Sequence, residues 1–497
     1  MNLNMDLKIK DMDIATGGHF ISIVNVDDAK NLDLHMGDRI RISYKGKSVA
    51  SIVDFAESEH AVPEGFIGMF EEVLDYLDAK DYMKVKVELE QKPESVTYIK
   101  EKLKGKTLVE SKIKSIVYDI VSNNLTDIEL TYFVSGCYSN GLNKRETLAL
   151  TRAMIEQGHR LKLKKPVFDK HCIGGVPNNR TTMIVVPIMA AMGLKMPKTS
   201  SRSITSPAGT ADTMEVLANV TIPVEKLESI IEKTNGFLVW GGGMSLAAAD
   251  DKLINIRHPM SLDPLGMMLA SVMAKKGSVS ASNVLIDIPV GKSAKVKEKK
   301  KAEKLKAKFL EVGKSLGMDV SVLISDGKQP IGNGIGPVME AKDVMKVLSN
   351  DKDAPGDLKD KSLKMAGMLI EMAGVAKNGK AKALEILESG QALEKMEEII
   401  DTQGRNCDWR KLGKAKHSKP IKATKAGKVV GIDNKKISKA ARVAGAPEDI
   451  YAGVYLYKKV GDRVKKGDTL FTIHSQSKAK IRFAMEIYEQ IDGFKVQ

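Results

Sequence analysis

The stretch Asp169-Lys170-His171-Cys172-Ile173-Gly174-Gly175-Val176-Pro177-Asn178-Asn179-Arg180-Thr181-Thr182 sets a lysine and a histidine ahead of a glycine pair and then a threonine pair. Glycines reach backbone conformations closed to other residues, so successive N–H groups can converge on an anion while Lys170 supplies full positive charge. The pattern reads as a phosphate cradle. A second loop, Lys198-Thr199-Ser200-Ser201-Arg202-Ser203-Ile204-Thr205-Ser206-Pro207-Ala208-Gly209-Thr210, places one arginine among seven hydroxyl residues. The planar fork of Arg202 suits a phosphate bidentately. Two such loops imply a substrate with more than one phosphate group, or two phosphorylated partners.

The elements that must position these loops form an α/β multidomain protein. Residues 1–88 read as a β-rich N-terminal domain: Asp38-Arg39-Ile40-Arg41-Ile42-Ser43-Tyr44 alternates polar and apolar, and Lys45-Gly46-Lys47 turns the chain into the next strand. Residues 89–160 read as a helical domain, with helices after about 255 as candidates to pack on it. Ile113, Ile116, Val117 and Ile120 recur there at helical spacing, Thr126-Asp127-Ile128-Glu129 has the form of a capping box, and Asn143 with Glu146 can open another helix.

Residues 161–412 alternate apolar runs, such as 183–189 and 284–289, with glycine-bearing loops and helical stretches. This predicts an α/β phosphate-binding domain with a mostly parallel sheet. In open α/β sheets ligands lie beyond the carboxyl ends of strands, where the Lys170 and Arg202 loops would sit. Residues 413–497 return to short strands with turns at glycines, and read as a closing α+β domain.

Composition narrows the class. A chain of 497 residues with 43% hydrophobic content has room for about three domains of ordinary size. The formal charge of +15 fits a nucleic-acid binder or a solvated surface around an anionic small-molecule site. Cys137, Cys172 and Cys407 make no metal-type spacing, and a reducing cytoplasm is expected. No apolar run approaches the roughly 18 residues of a membrane span, and the charged start is unlike a signal peptide.

Together these motifs carry a family resemblance. The Lys170-His171-x-x-Gly174-Gly175 loop, the loop from Ser201-Arg202 to Gly209-Thr210, and Leu269-Ala270-Ser271-Val272-Met273-Ala274-Lys275-Lys276 resemble thymidine and pyrimidine-nucleoside phosphorylases. Gly174-Gly175-Val176-Pro177, Ser201-Arg202-Ser203-Ile204-Thr205-Ser206, Val239-Trp240-Gly241-Gly242-Gly243 and Ser261-Leu262-Asp263-Pro264 are similar to one branch, the archaeal AMP phosphorylases. The similarity runs through most of the chain, including an N-terminal domain that the nucleoside enzymes lack. The glycine-turned strands near 461–470 resemble the barrel-sandwich domain that closes the pyrimidine phosphorylase fold.

The resemblance implies a pentosyltransferase. Inorganic phosphate, as co-substrate, would cleave AMP, with CMP and UMP as further candidates, to the free base and ribose 1,5-bisphosphate, without metal or organic cofactor. Phosphate is expected on Lys170, Thr182, Ser200 and Thr210. The nucleotide is expected on His171, Gly175, Ser201, Arg202, Ser203, Ile204, Thr205, Ser206, Thr210, Ser271, Lys275 and Lys295. The sugar passes through a cation-like state that an anion held beneath it stabilises. A base leaves more easily once protonated, and the resemblance gives that task to Asp263. Homodimers, joined into larger homo-oligomers through the N-terminal domain, are implied, with neither nucleic acid nor membrane as partner.

Blander readings accompany these. Asp263 before Pro264 could be only a turn or helix cap. Cys172 stands where the nucleoside enzymes have a phosphate-contacting serine; a thiol is a poorer donor, and a small packed residue is an equal reading. The glycines at 332–336 have the wrong spacing for a dinucleotide fingerprint and read as a tight loop. Residues 292–308 hold nine lysines and two glutamates, yet Ala302, Leu305, Phe309 and Val312 keep an apolar stripe, so a solvated helix face is expected. The alternatives kept open are a pyrimidine or purine nucleoside phosphorylase, which needs no second anion site, and an RNA-binding protein reusing a degenerate enzyme core.

Overall fold

The Arg39–Tyr44 strand buries Ile40 and Ile42 completely, and Lys45 and Gly46, with φ of 44° and 82°, return the chain at once into the Lys47–Ala56 strand. Two consecutive positive φ values fit a type I′ turn, whose twist matches that of a hairpin. The computed structural model describes residues 4–203, 206–242, 247–260, 262–491 and 493–497. Six strands close into a barrel in the order Asn4–Asp11, Phe66–Met69, Ile21–Asn25, Lys47–Ala56, Arg39–Tyr44, Lys84–Leu89. Leu7, Ile9, Val24, Ile42, Val53, Ile67 and Val87 fill it, and closure leaves no open strand edge.

After the barrel come the helices Ser95–Leu103, Glu110–Val121, Asp127–Asn140 and Lys144–Gln157. Thr126 and Glu129 form the reciprocal cap, and Asn143 and Glu146 exchange side-chain-to-backbone bonds of 2.9 and 3.0 Å at the next helix start. Residues 1–157 and 248–270 make one compact unit; residues 158–247 and 271–497 make another.

The second unit is built on parallel strands. Asp319–Asp326, Asn283–Val290 and Phe168–Cys172 form one sheet, and Met196–Ser200 pairs with Gly236–Trp240 in another. A single parallel bridge, Val167 to Lys195, links the two. Of the two apolar runs, 284–289 is the central strand, but 183–189 lies in the helix Thr181–Ala191, buried on every side. A helix enclosed all round loses the periodicity that would distinguish it from a buried strand.

The chain closes with a four-stranded and a three-stranded sheet flanked by the helices Asn434–Val443 and Lys478–Ile491, with Phe471 and Phe494 stacked at 5.4 Å in their core. The glycine loop at 332–336 contributes Gly334–Ile335 to the first of these sheets, pairing with Tyr455 and Val454. In the helix Lys299–Ser315, Ala302, Leu305, Phe309 and Val312 are buried while its lysines face outward, the expected solvated face. No helix among the described residues is long and apolar enough to cross a membrane.

Candidate active site

Successive side chains of a strand point to opposite faces, and the Phe168–Cys172 strand uses both. Lys170 and Cys172 face the helix Thr181–Ala191. Lys170, 1% exposed, donates from Nζ to Thr181 Oγ1 at 2.6 Å and Thr182 Oγ1 at 3.2 Å. Burial, reinforced by Lys361 and Lys198 and opposed by Asp287, pushes its ammonium down to about 8. A cation held by two neutral hydroxyls retains its charge for an anion. Gly174 and Gly175 follow with φ of 95° and 90°, and a Cβ on Gly175 would stand 2.3 Å from the Lys295 backbone nitrogen. The glycine thus lets the Lys295 loop close against the cradle.

Cys172 Sγ accepts from Asn179 Nδ2 at 2.9 Å and from the Gly174 N–H at 3.4 Å. Burial, with Asp287 adding to it, pushes the thiol up to about 11, so it is neutral at physiological pH. Asp287, fully buried, takes Ser325 Oγ at 2.5 Å, Asn179 Nδ2 at 3.2 Å and the Lys361 ammonium at 2.9 Å. Burial raises this carboxyl, but Lys361 and Lys170 outweigh it and hold it below the usual carboxylate range.

On the opposite face, buried Asp169 pairs with Lys276 and, at 3.4 Å, with Lys198, which also donates to the Lys170 carbonyl at 2.7 Å. Burial and Lys198 bring Lys276 down to about 7 against the pull of Asp169. His171 lies on this face. Burial first, then Lys276, Lys198, Lys275 and Lys170, drive it well below its ordinary value, so it presents a neutral imidazole. Ser271 and Lys275 share one face of the helix Leu265–Ser278, and Lys275 acts electrostatically on His171.

In the second loop, Ser200 ends its strand and donates to the Val239 carbonyl at 3.2 Å. Thr210 opens the helix Thr210–Glu215 and accepts from Arg180 at 3.0 Å. Asp212 Oδ2 draws the loop closed by accepting from the Ser203 and Gly209 N–H groups, each at 2.7 Å. Ser203 donates to the Ser206 carbonyl, and Ser206 to the Ala208 carbonyl at 2.7 Å. Arg202 spends its fork on Glu215 (2.7 Å for one arm), with Asp212 at 3.5 Å, and its plane lies 4.8 Å over the Trp240 ring. Its fork is therefore carboxylate-bound here. Ser201 is exposed. Ile204 and Thr205 lie outside the described residues, as do Gly243 and Ser261 of the quoted motifs.

The structure thus brings Lys170, His171, Gly175, Thr182, Lys275 and Lys295 around one strand end, and ties Thr210 to them through Arg180. Asp263 stands in the first unit, 3.6 Å from Arg257. Sequence reasoning missed Arg180, buried and paired with Glu340, and the Asp287–Lys361 pair. Asp287 did leave a signal, as a lone charge inside an apolar strand; Lys361 left none. A groove of about 850 Å³ elsewhere on the second unit is lined by Lys233, Glu397, Asp401, Arg405 and Arg410, and none of the cradle residues reaches it. Size alone does not locate the chemistry.

Comparison with known proteins agrees with this frame. Residues 96–158 match the glycosyl transferase family helical bundle domain, residues 164–393 its a/b domain, and residues 428–492 the pyrimidine nucleoside phosphorylase C-terminal domain. Anthranilate phosphoribosyltransferase from Thermus thermophilus aligns with a TM-score of 0.52 at 19% identity, over 61% of this chain and 98% of its own, a likeness of fold. Fold and domain matches define a glycosyl transferase enzyme of the pentosyl-transferring kind. The chain is 45% identical to AMP phosphorylase of Pyrococcus furiosus over 99% of its length and 97% of the relative's, and 43% identical to that of Thermococcus kodakarensis over 99% and 98%. It belongs to the AMP phosphorylase family. A putative thymidine phosphorylase of Legionella pneumophila is 43% identical over 90% of this chain and 87% of the relative.

Proposed function

We propose that the protein cleaves AMP with inorganic phosphate, giving adenine and ribose 1,5-bisphosphate. The observation that carries this reading is the buried Lys170 ammonium, held among the described residues by the Thr181 and Thr182 hydroxyls beside two left-handed glycines, in a chain similar throughout its length to AMP phosphorylases. Phosphate is assigned to Lys170, Thr182, Ser200 and Thr210, beneath the anomeric carbon. There it attacks and also stabilises the positive charge that grows on the sugar. Neutral His171 can hydrogen-bond the nucleotide without competing for the phosphate. Gly175, Ser271, Lys275, Lys295 and the 201–206 loop are assigned to the nucleotide, and Asp263 to protonation of the departing base. For the 5′-phosphate, Arg202 must leave Glu215 or share it. The working form is a cytoplasmic homodimer, with larger assemblies made through the N-terminal barrel.

A second reading, phosphorolysis of nucleosides, is favoured by the similarity to the Legionella proteins. Phosphate-dependent base release from AMP, CMP, UMP, adenosine and thymidine separates the two. AMP is expected to exceed adenosine in kcat/KM by a large factor; equal values, or thymidine leading, would overturn the AMP assignment.

A further inference from the structure

Lys361 lies on the helix Gly356–Met372, nearly two hundred residues from the cradle in sequence and in no motif. Its side chain is 11% exposed, its ammonium lies 2.9 Å from Asp287 Oδ2, and that nitrogen, itself buried, makes no hydrogen bond of good geometry among the described residues. Burying an ion pair is expensive and seldom improves on an apolar pair for stability, so one beside a functional cation calls for a reason. Contacts lead from it to the cradle: Asp287 accepts from Asn179 at 3.2 Å, Asn179 accepts from Thr181 at 3.3 Å, and Thr181 accepts from Lys170 at 2.6 Å.

We propose that Lys361 is a positioning residue for the phosphate site: it neutralises the buried Asp287 carboxylate, so that the Lys170 ammonium stays available to the incoming anion. This rests on the reading of Lys170 as the phosphate cation. Lys170, Lys361 and Asp287 together carry one net positive charge. Without Lys361 the sum is zero: Asp287 becomes the partner of Lys170, and its carboxylate offsets the attraction of that ammonium for a phosphate dianion. With Lys361 in place Asp287 is satisfied, Asn179 is fixed between Asp287 and Thr181, and the Thr181 hydroxyl keeps Lys170 aimed at the glycine loop. The Cys172 thiol, on the same Asn179 amide, packs this arrangement and adds no charge.

The test is calorimetric titration of inorganic phosphate, and separately of AMP, into the full-length protein and three variants. Lys361→Met is expected to weaken phosphate about tenfold, the factor that about 1.4 kcal/mol represents, and to leave AMP affinity unchanged. The double variant Lys361→Met/Asp287→Asn restores the single positive charge and is expected to recover phosphate affinity; Lys361→Arg is expected to retain it. The pH at which phosphate affinity falls should also move upward in Lys361→Met, because burial and Lys198 still lower Lys170 but the Lys361 charge no longer adds to them, while Asp287 still raises it. Unchanged phosphate affinity in Lys361→Met overturns the proposal, and so does equal loss of phosphate and AMP. A double variant as weak as the single one overturns it too, since Lys361 would then touch the anion itself. If Lys361→Met does not fold, the double variant, which strands no buried charge, and Lys361→Arg decide the matter. Wild-type protein that binds phosphate but releases no base from AMP sinks the substrate assignment alone, and the titrations still judge the lysine; wild-type protein that binds no phosphate sinks both.

Discussion

At the scale of single residues the site depends on charges kept out of water. The Lys170 ammonium, pushed by burial from its ordinary value of 10.5 to about 8, loses its proton above pH 8 in the ligand-free protein. Phosphate affinity should therefore hold up to about pH 8 and then fall by about tenfold per unit, until Lys170 is mostly neutral. The same shift has a stability consequence of opposite sense. Between the folded values, about 7 for Lys276 and about 8 for Lys170, and the ordinary 10.5, the unfolded chain binds more protons than the folded one. Resistance to urea should then rise with pH across that window while phosphate affinity declines. Parallel decline of both would mean that the lysines are not buried as described. Asp263 makes a separate prediction. Asp263→Asn keeps the shape and can still donate a hydrogen bond, but it has no transferable proton, so kcat should fall by about 10² to 10⁴ with AMP still bound. An unchanged kcat with a lowered melting temperature would leave Asp263 a structural role, such as its contact with Arg257.

At the scale of elements, Gly175 is where loop and sheet meet. Its φ of 90° and the 2.3 Å between a Cβ and the Lys295 backbone mean that Gly175→Ala must displace one loop or the other. The expected result is loss of phosphate binding with a nearly normal melting temperature, since the clash is confined to loops; phosphate affinity within twofold of wild type would argue that the cradle lies elsewhere. This glycine pair was legible in the sequence, as were the capping boxes at Thr126 and Asn143 and the hairpin at Lys45-Gly46, because each is specified by residues next to one another. What was illegible had non-local causes. The run 183–189 was ambiguous because complete burial erases periodicity. Arg202 stood out in the sequence as a candidate phosphate ligand and Arg180 did not, although both are committed to distant partners, Arg180 to Glu340 and the Ala208 carbonyl and Arg202 to Glu215, 160, 28 and 13 residues away. Lys361 meets Asp287 only because a helix packs on the central strand. A charged residue's neighbours decide whether it binds substrate or another residue, and a single sequence leaves those neighbours unknown.

At the scale of the whole molecule, the N-terminal barrel poses the remaining question, since none of the cradle side chains comes from it. It has its own core and no open strand edge, so any association it mediates must use side-chain patches, not strand addition. Met36 and Tyr82, 66% and 71% exposed, are candidates for such contacts. Within its unit the barrel meets the helices through polar ties: buried Arg39 donates to the Asn124 carbonyl at 2.7 Å and to Glu129, and His19 lies 2.9 Å from Asp127. Removing this body frees the polar groups just named, and a protein lacking residues 1–90 is expected to fold. If the barrel serves assembly, light scattering should give the truncated protein fewer subunits per particle than the full chain, and phosphate-dependent release of adenine should persist per subunit. If the barrel instead completes the active site, the subunit number will hold while AMP binding disappears. Substituting Met36 and Tyr82 by serine in the full chain distinguishes the two without any truncation. On the assembly reading the particle becomes smaller and kcat/KM stays as it was, because these side chains lie on the barrel's outer surface and contribute nothing to the chemistry.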